Sequence, residues 1–418
     1  MYQSLTKFKH LSAEKKSMLA LFWVYEFANT TAGIFVNIFV FLDTRSLWVL
    51  ALLILVQVTA TLIGFTGFGY LLAEYQRSMR WNYLRSFSIY FISFIWLALT
   101  PHTLPFLIVF YFLYGLGGGI FWATNHSYEL IYTKNEDGDR DFYASMVQSG
   151  TQLIFILSPL LGTALLLLAD KVFQIETFSL LFWVLPFIYL LSLPFLFRLP
   201  HFVPKPITKS DIKSFMTDGE HSQIRWYYIL SAGELIRGVI SVFFAVVALK
   251  TAVNIGLWET AVAIISFFAV FTLANTRREN NRLKIMLNAI CGFLIAFAFL
   301  YFSSTYFYFY LIYSVLMVFF RPMYRVSQHA IDLHSMEFLS RGRSSFYPGI
   351  LYREIILYIG RFFALMFVIV MSLVLNNDIL SVKIGIIISA ILLVLHWHVA
   401  RKMLAKYDGP GDRHPSNN

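Results

Sequence analysis

The chain of 418 residues is 58% hydrophobic, 18% aromatic and only 13% charged, with a formal charge of +10. That apolar content exceeds what a soluble core can hide and excludes an ordinary soluble domain. The single cysteine, Cys291, rules out an intramolecular disulfide, and the unbroken apolar runs rule out a transmembrane β-barrel.

Roughly 20 apolar residues in a helix cross a hydrocarbon core of about 30 Å. Runs of that length recur from one end of the chain to the other. The start is polar and basic (Lys7, Lys9, Lys15, Lys16), and the run after it reads as a full span, not a cleavable signal. Twelve helical spans are expected, near 17–42, 47–72, 83–100, 104–131, 143–168, 178–198, 225–249, 253–273, 285–303, 305–332, 347–375 and 379–400. The longest connection, 199–224, holds Pro200, Pro204 and Pro206 and joins two sets of six. The expected domains are an N-terminal six-helix half (1–198), a central cytoplasmic loop (199–224), a C-terminal six-helix half (225–400) and a cytoplasmic tail (401–418).

Charge sets the orientation. With the N-terminus inside, the outer side receives Arg45, Lys171, Lys250 and Lys383. Five arginines fall within spans, and the remaining 24 of the 33 Lys and Arg lie on the cytoplasmic side. The basic balance thus reflects topology and contact with anionic lipid, and no nucleic-acid partner is expected.

A heptapeptide occurs once in each half. Thr124-Asn125-His126-Ser127-Tyr128-Glu129-Leu130 reads against Ser327-Gln328-His329-Ala330-Ile331-Asp332-Leu333. Phe142-Tyr143 answers Phe346-Tyr347, and Glu26 with Leu47-Trp48 answers Glu234 with Leu257-Trp258. The second half reads as a diverged copy of the first, an organisation that in membranes points to a secondary transporter with its site between the halves.

A charged side chain at mid-membrane costs about 2.5–3.5 kcal/mol, so it persists where it is paired or faces water. On span 1, Glu26, Asn29, Thr30, Gly33 and Asn37 share one helical face, which is either a cavity wall or a polar seam between helices. Gly115, Gly117, Gly118 and Gly119 on span 4 fit close helix packing better than a phosphate loop, and Trp122 one turn on is a candidate cavity residue. On span 7, Glu234 and Arg237 can pair along the helix. Span 10 stacks Arg321, Arg325 and His329, with Asp332 a turn further, as an anion-recognising face or a cytoplasmic gate. On span 11, Glu354, Tyr358 and Arg361 share a face, Arg353 is placed to snorkel, and Arg361 needs Glu26, Glu234 or Glu354 as partner. His126 and His329, each three residues before an acid, read first as a structural gate, next as proton handling, and fall short of a metal site. No catalytic constellation and no cofactor motif is present.

Twelve spans in two repeated sixes, with a central cytoplasmic loop and both ends inside, resemble the major facilitator superfamily. The loop Gly69-Tyr70-Leu71-Leu72-Ala73-Glu74-Tyr75-Gln76-Arg77-Ser78-Met79-Arg80 is similar to the superfamily's glycine–acid–basic signature, with altered spacing and the second glycine missing; the second-half loop, Asn275-Thr276-Arg277-Arg278-Glu279, is basic. Phe35-Val36-Asn37-Ile38-Phe39, and Arg353-Glu354 followed by Gly360-Arg361, resemble a bacterial branch of the superfamily. The resemblance implies an all-α, twelve-helix fold and proton or ion coupling. The expected protein is an alternating-access secondary transporter of the cytoplasmic (inner) membrane, with both termini cytoplasmic. Its expected substrate is a small organic or lipid-like anion, bound by Arg321, Arg361, Asn29, Asn37 and Trp122. Glu26, Glu234 and Glu354 are its expected proton carriers, and Arg237, Arg325, His126, His329 and Asp332 its gates or charge pairs. The alternatives are efflux of hydrophobic compounds and a non-transporting sensor or assembly partner on the same fold.

Overall fold

A computed structural model describes residues 11–74, 78–132, 139–201, 221–274, 282–340 and 347–407, and among them no strand occurs. In chain order the helices are α1 (Ala13–Thr44), α2 (Leu47–Glu74), α3 (Arg80–Leu99), α4 (Leu104–Tyr132), α5 (Asp139–Leu168) and α6 (Ser179–Leu190). They continue with α7 (Ser222–Ser231), α8 (Gly233–Leu249), α9 (Ala252–Ala274), α10 (Arg282–Phe302), α11 (Phe307–Ser340), α12 (Tyr347–Leu375) and α13 (Asp378–Tyr407). The central loop (202–220), the signature-loop residues 75–77 and 275–281, the acidic segment 133–138 and both chain ends lie outside the described residues.

Among the described residues, ten stretches are long and apolar enough to cross a membrane, so the chain is a multi-pass membrane protein. The remaining two expected spans coincide with α3 and α9. Polar Arg80, Asn82 and Arg85 open α3, while α9 is apolar over Ala252–Ala274 with Glu259 its one charged residue. The expected seventh span is one stretch in two pieces: α7 stops at Ser231, Ala232 forms a turn, and α8 starts one residue before Glu234. Packing accounts for the break. A Cβ on Gly360 of α12 would come 2.6 Å from the Ile229 carbonyl, so only a glycine lets α12 lie this close to the end of α7.

The residues fall into two compact units, one formed within Met1–Phe39, Val56–Ile207 and Ala252–Ala263, the other within Val40–Leu55, Thr208–Thr251 and Ile264–Asn418. In the first, α3 packs on α4 and α6 around buried tyrosines. Tyr90 stacks on Tyr189 with centroids 4.5 Å apart, and the Tyr25 hydroxyl meets that of Tyr90 at 3.1 Å. The α2–α4 contact is closer still. A Cβ on Gly115 would lie 2.1 Å from the Gln57 carbonyl oxygen, and one on Gly119 2.1 Å from that of Thr61. The Thr61 hydroxyl donates to the Gly115 carbonyl at 3.1 Å across the contact, so the glycines act as a packing surface. In the second unit, α10 pairs with α11, and α13 packs on α7, α8 and α10.

Among the described residues, four non-glycine residues adopt positive φ: Arg45, Gln174, Lys250 and Asn376, at 50°, 53°, 65° and 45°. Each stands in the short connection after an odd-numbered expected span, the first, fifth, seventh and eleventh.

Candidate functional site

The polar stripe of α1 meets tyrosines from α4. Tyr114 donates to Asn29 Oδ1 at 2.6 Å and Tyr111 to Asn37 Oδ1 at 2.8 Å. Thr30 Oγ1 reaches Glu26 Oε1 at 3.5 Å, and Asn37 also donates to the Gly33 carbonyl at 2.9 Å. Gly33, exposed and with nothing within 4 Å of its missing Cβ, gives the same stripe an open side. The stripe is therefore stitched to α4 along one edge and open along the other. The second unit repeats the stitch: Ser241 of α8 and Tyr313 of α11 bond at 3.1 Å. Trp122 stands edge-on to Tyr25 and stacks on His126, with centroids 5.9 and 5.3 Å apart. His126 Nδ1 lies 3.8 Å from Glu129.

The largest gathering of charge lies at the start of α8. Glu234 Oε2 is 2.9 Å from Arg325 Nη2 of α11, and its other oxygen is 3.6 Å from Arg237 Nη2. The expected pair along the helix is present, but the nearer partner comes from another helix. Arg237 is buried and lies over the Phe293 ring at 5.1 Å. Arg321, one turn from Arg325, belongs to the same electrostatic cluster and is within salt-bridge distance of no described carboxylate. Both Arg321 and Arg325 are exposed, although they lie well inside an apolar helix. Pro322 between them lacks the N–H that would bond the Val318 carbonyl, a local break in the α11 ladder.

Arg361 finds its partner on its own helix: Nη1 donates to Glu354 Oε1 at 2.8 Å, and the carboxylate is buried. Arg353 does not snorkel. It turns inward over the Tyr228 ring, 3.7 Å from Asp332 and 4.0 Å from Glu354. Asp332 of α11 thus joins α12 through Arg353. His329 lies in α11, its side chain outside the described residues.

Three participants carried no signal in the spans. Tyr111 and Tyr114, three apart in the aromatic run of α4, could have been sought as partners for the α1 amides. His396 of α13 accepts at Nδ1 or donates to Tyr324 of α11 at 2.6 Å, and nothing in an aliphatic helix foretells that contact.

No family model matches the sequence, and no curated protein matches it significantly. Solved structures do. The nucleoside transporter NupG matches with a TM-score of 0.62 at 12% identity, over 94% of this chain and 100% of that one. A bacterial homologue of the human lysosomal transporter Spinster, inward-facing and unoccupied, matches at 0.62 and 12% identity over 95% and 98%. The human organic anion transporter MFSD10 matches at 0.62 and 11% identity over 92% and 99%. Helical content, apolar spans and these full-length matches agree on one architecture: the chain has the fold of the major facilitator superfamily transporters.

Proposed function

We propose that the protein is a secondary transporter whose substrate carries a carboxylate or phosphate, moved by alternating access across the cytoplasmic membrane. The observation behind the substrate class is the α11 face, where exposed Arg321 and Arg325 gather with Arg237 near Glu234. Guanidiniums inside an apolar helix persist where anions meet them, and the planar fork suits an oxyanion. The organic anion transporter among the similar folds supports the reading at the level of fold. Asn29, Asn37 and Trp122 line the open α1 face in this reading, and Arg361 acts through its pair with Glu354.

The same proposal takes α3 and α9 as the third and eighth of twelve spans, in halves 1–198 and 225–400 joined by 199–224, with the tail 401–418 and both termini cytoplasmic. The matched positive-φ connections support the repeat. A proton drives the anion, its uptake coupled to the Glu234 carboxylate, while His126–Glu129 and Asp332–Arg353 serve as charge pairs near the cytoplasmic helix ends.

The test is thermal stability of the purified protein against succinate, inorganic phosphate and lysophosphatidic acid. A ligand of the folded state raises the apparent midpoint by mass action. Arg325→Gln or Arg321→Gln should weaken the stabilising anion about 10-fold or more, the loss of one charge-assisted hydrogen bond of roughly 1.5–3 kcal/mol. Stabilisation only by lipophilic cations such as tetraphenylphosphonium, lost in Glu26→Gln, would favour efflux of hydrophobic compounds, the reading that the aromatic first unit supports.

A further inference from the structure

Beside Glu234 lies a cavity of about 10 Å³ whose polar lining is Glu234, Arg237, Ser231, Tyr324 and Ser389. That is near the smallest volume that takes one water. Its polar lining is under-bonded: Ser389 Oγ and Glu234 Oε1 are buried without a hydrogen-bond partner, and Ser389 is only 5% exposed. Tyr324 lines the cavity, and its hydroxyl bonds His396 Nδ1 at 2.6 Å. His396 is fully buried, and its Nε2 has no partner.

We propose that this cavity is a one-water site joining Glu234 to the Tyr324–His396 pair, and that His396 holds the proton that accompanies the anion. The inference rests on the anion reading above. In the resting arrangement His396 is neutral, with hydrogen on Nε2 and Nδ1 accepting from the Tyr324 hydroxyl. A proton arriving on the cavity water passes to Tyr324 Oη as the tyrosine's own hydrogen moves to Nδ1. The imidazole becomes imidazolium, Tyr324 keeps one hydrogen, and the water is restored. Arg325 sets the timing. While it pairs with Glu234, that carboxylate is spoken for; when the substrate anion draws Arg325 away, the uncovered charge favours the imidazolium. Anion and proton then bind cooperatively, each raising the affinity for the other.

The other titratable groups on the helices packed around α13 leave this role to His396. From α7, the Tyr227 ring lies 4.5 Å from the imidazole, and its hydroxyl faces the Gln328 carbonyl; Tyr228 bonds Ser335. From α8 come Glu234 and Arg237, and α10 contributes the Phe293 ring beside Tyr324. From α12, Arg353, Glu354 and Arg361 are engaged with one another and with Asp332.

The experiment is succinate and sulfate affinity of the full chain in detergent, followed from about pH 6 to about pH 8, where both probes stay largely dianionic. Wild type should bind more tightly on acidification, up to about tenfold per pH unit for one linked proton. His396→Gln, Tyr324→Phe and Glu234→Gln should each flatten that slope. A slope kept in His396→Gln but lost in Glu234→Gln puts the proton on Glu234 and overturns the proposal, as does pH-independent binding by wild type. If neither probe binds wild type, the anion reading is what fails, and a ligand-free arm still decides the proton site. Infrared imidazole bands of histidine-labelled protein, assigned by subtracting the His396→Gln spectrum, should show more imidazolium at His396 in Arg325→Gln than in wild type. No difference there sinks the proposal.

Discussion

Glu354 and Arg361 show what a single intramembrane pair requires. Their side chains are 9% and 31% exposed, and a 2.8 Å contact holds them together, so each depends on the other to offset its desolvation. Arg361→Met should therefore cost up to about 3–5 kcal/mol, since it leaves the buried carboxylate only Arg353 at 4.0 Å, while adding Glu354→Gln should recover most of it. Apparent unfolding midpoints of the two singles and the double in detergent check this; a loss in the double equal to the sum of the two single losses would show the pair to be energetically independent. The sequence placed both members on one helix face, seven residues apart, but left Glu26 and Glu234 beside Glu354 as candidate partners of Arg361. It did not expose Arg325 as the partner of Glu234, nor Tyr324 as that of His396, 72 residues away. An intrusive charge stands out in an apolar run, but its partner on another helix is chosen by packing, which no local pattern records.

At the scale of the helix, glycine reports contact distance. Gly115→Ala or Gly119→Ala would place a methyl 2.1 Å from a backbone carbonyl of α2, with no side chain able to yield. Overpacking of this kind costs about 1–3 kcal/mol, so either variant should lower the apparent midpoint. Gly33→Ala, with nothing within 4 Å, should be neutral or slightly stabilising, as an exposed helical glycine replaced by alanine usually is. A drop in Gly33→Ala equal to that in Gly115→Ala would mean the loss reflects helix flexibility and not the contact. The span pattern made most helices legible, because length and apolarity suffice to mark a membrane crossing. The break at Ala232 was not legible: no proline announces it, and the approach of Gly360 from α12 accounts for it.

For the whole molecule, the number of crossings decides which connections share a face of the membrane. Arg45, Gln174, Lys250 and Asn376 are exposed and stand in connections after α1, the π-turn following α5, α8 and α12. If α3 and α9 both cross, all four lie on one side, opposite the N-terminus. If neither crosses, Arg45 and Asn376 lie on one side, Gln174 and Lys250 on the other. Arg80 and Arg85 dilute the apolarity of α3, yet a helix can carry arginines in its first turns at the headgroup level, where long side chains snorkel. Single cysteines at the four positions, in a chain with Cys291 replaced, can be labelled in intact cells with a membrane-impermeant maleimide. Labelling of all four from outside supports twelve crossings with a cytoplasmic N-terminus. A two-and-two split would remove α3 and α9 from the membrane and with them the six-plus-six repeat on which the transport proposal stands.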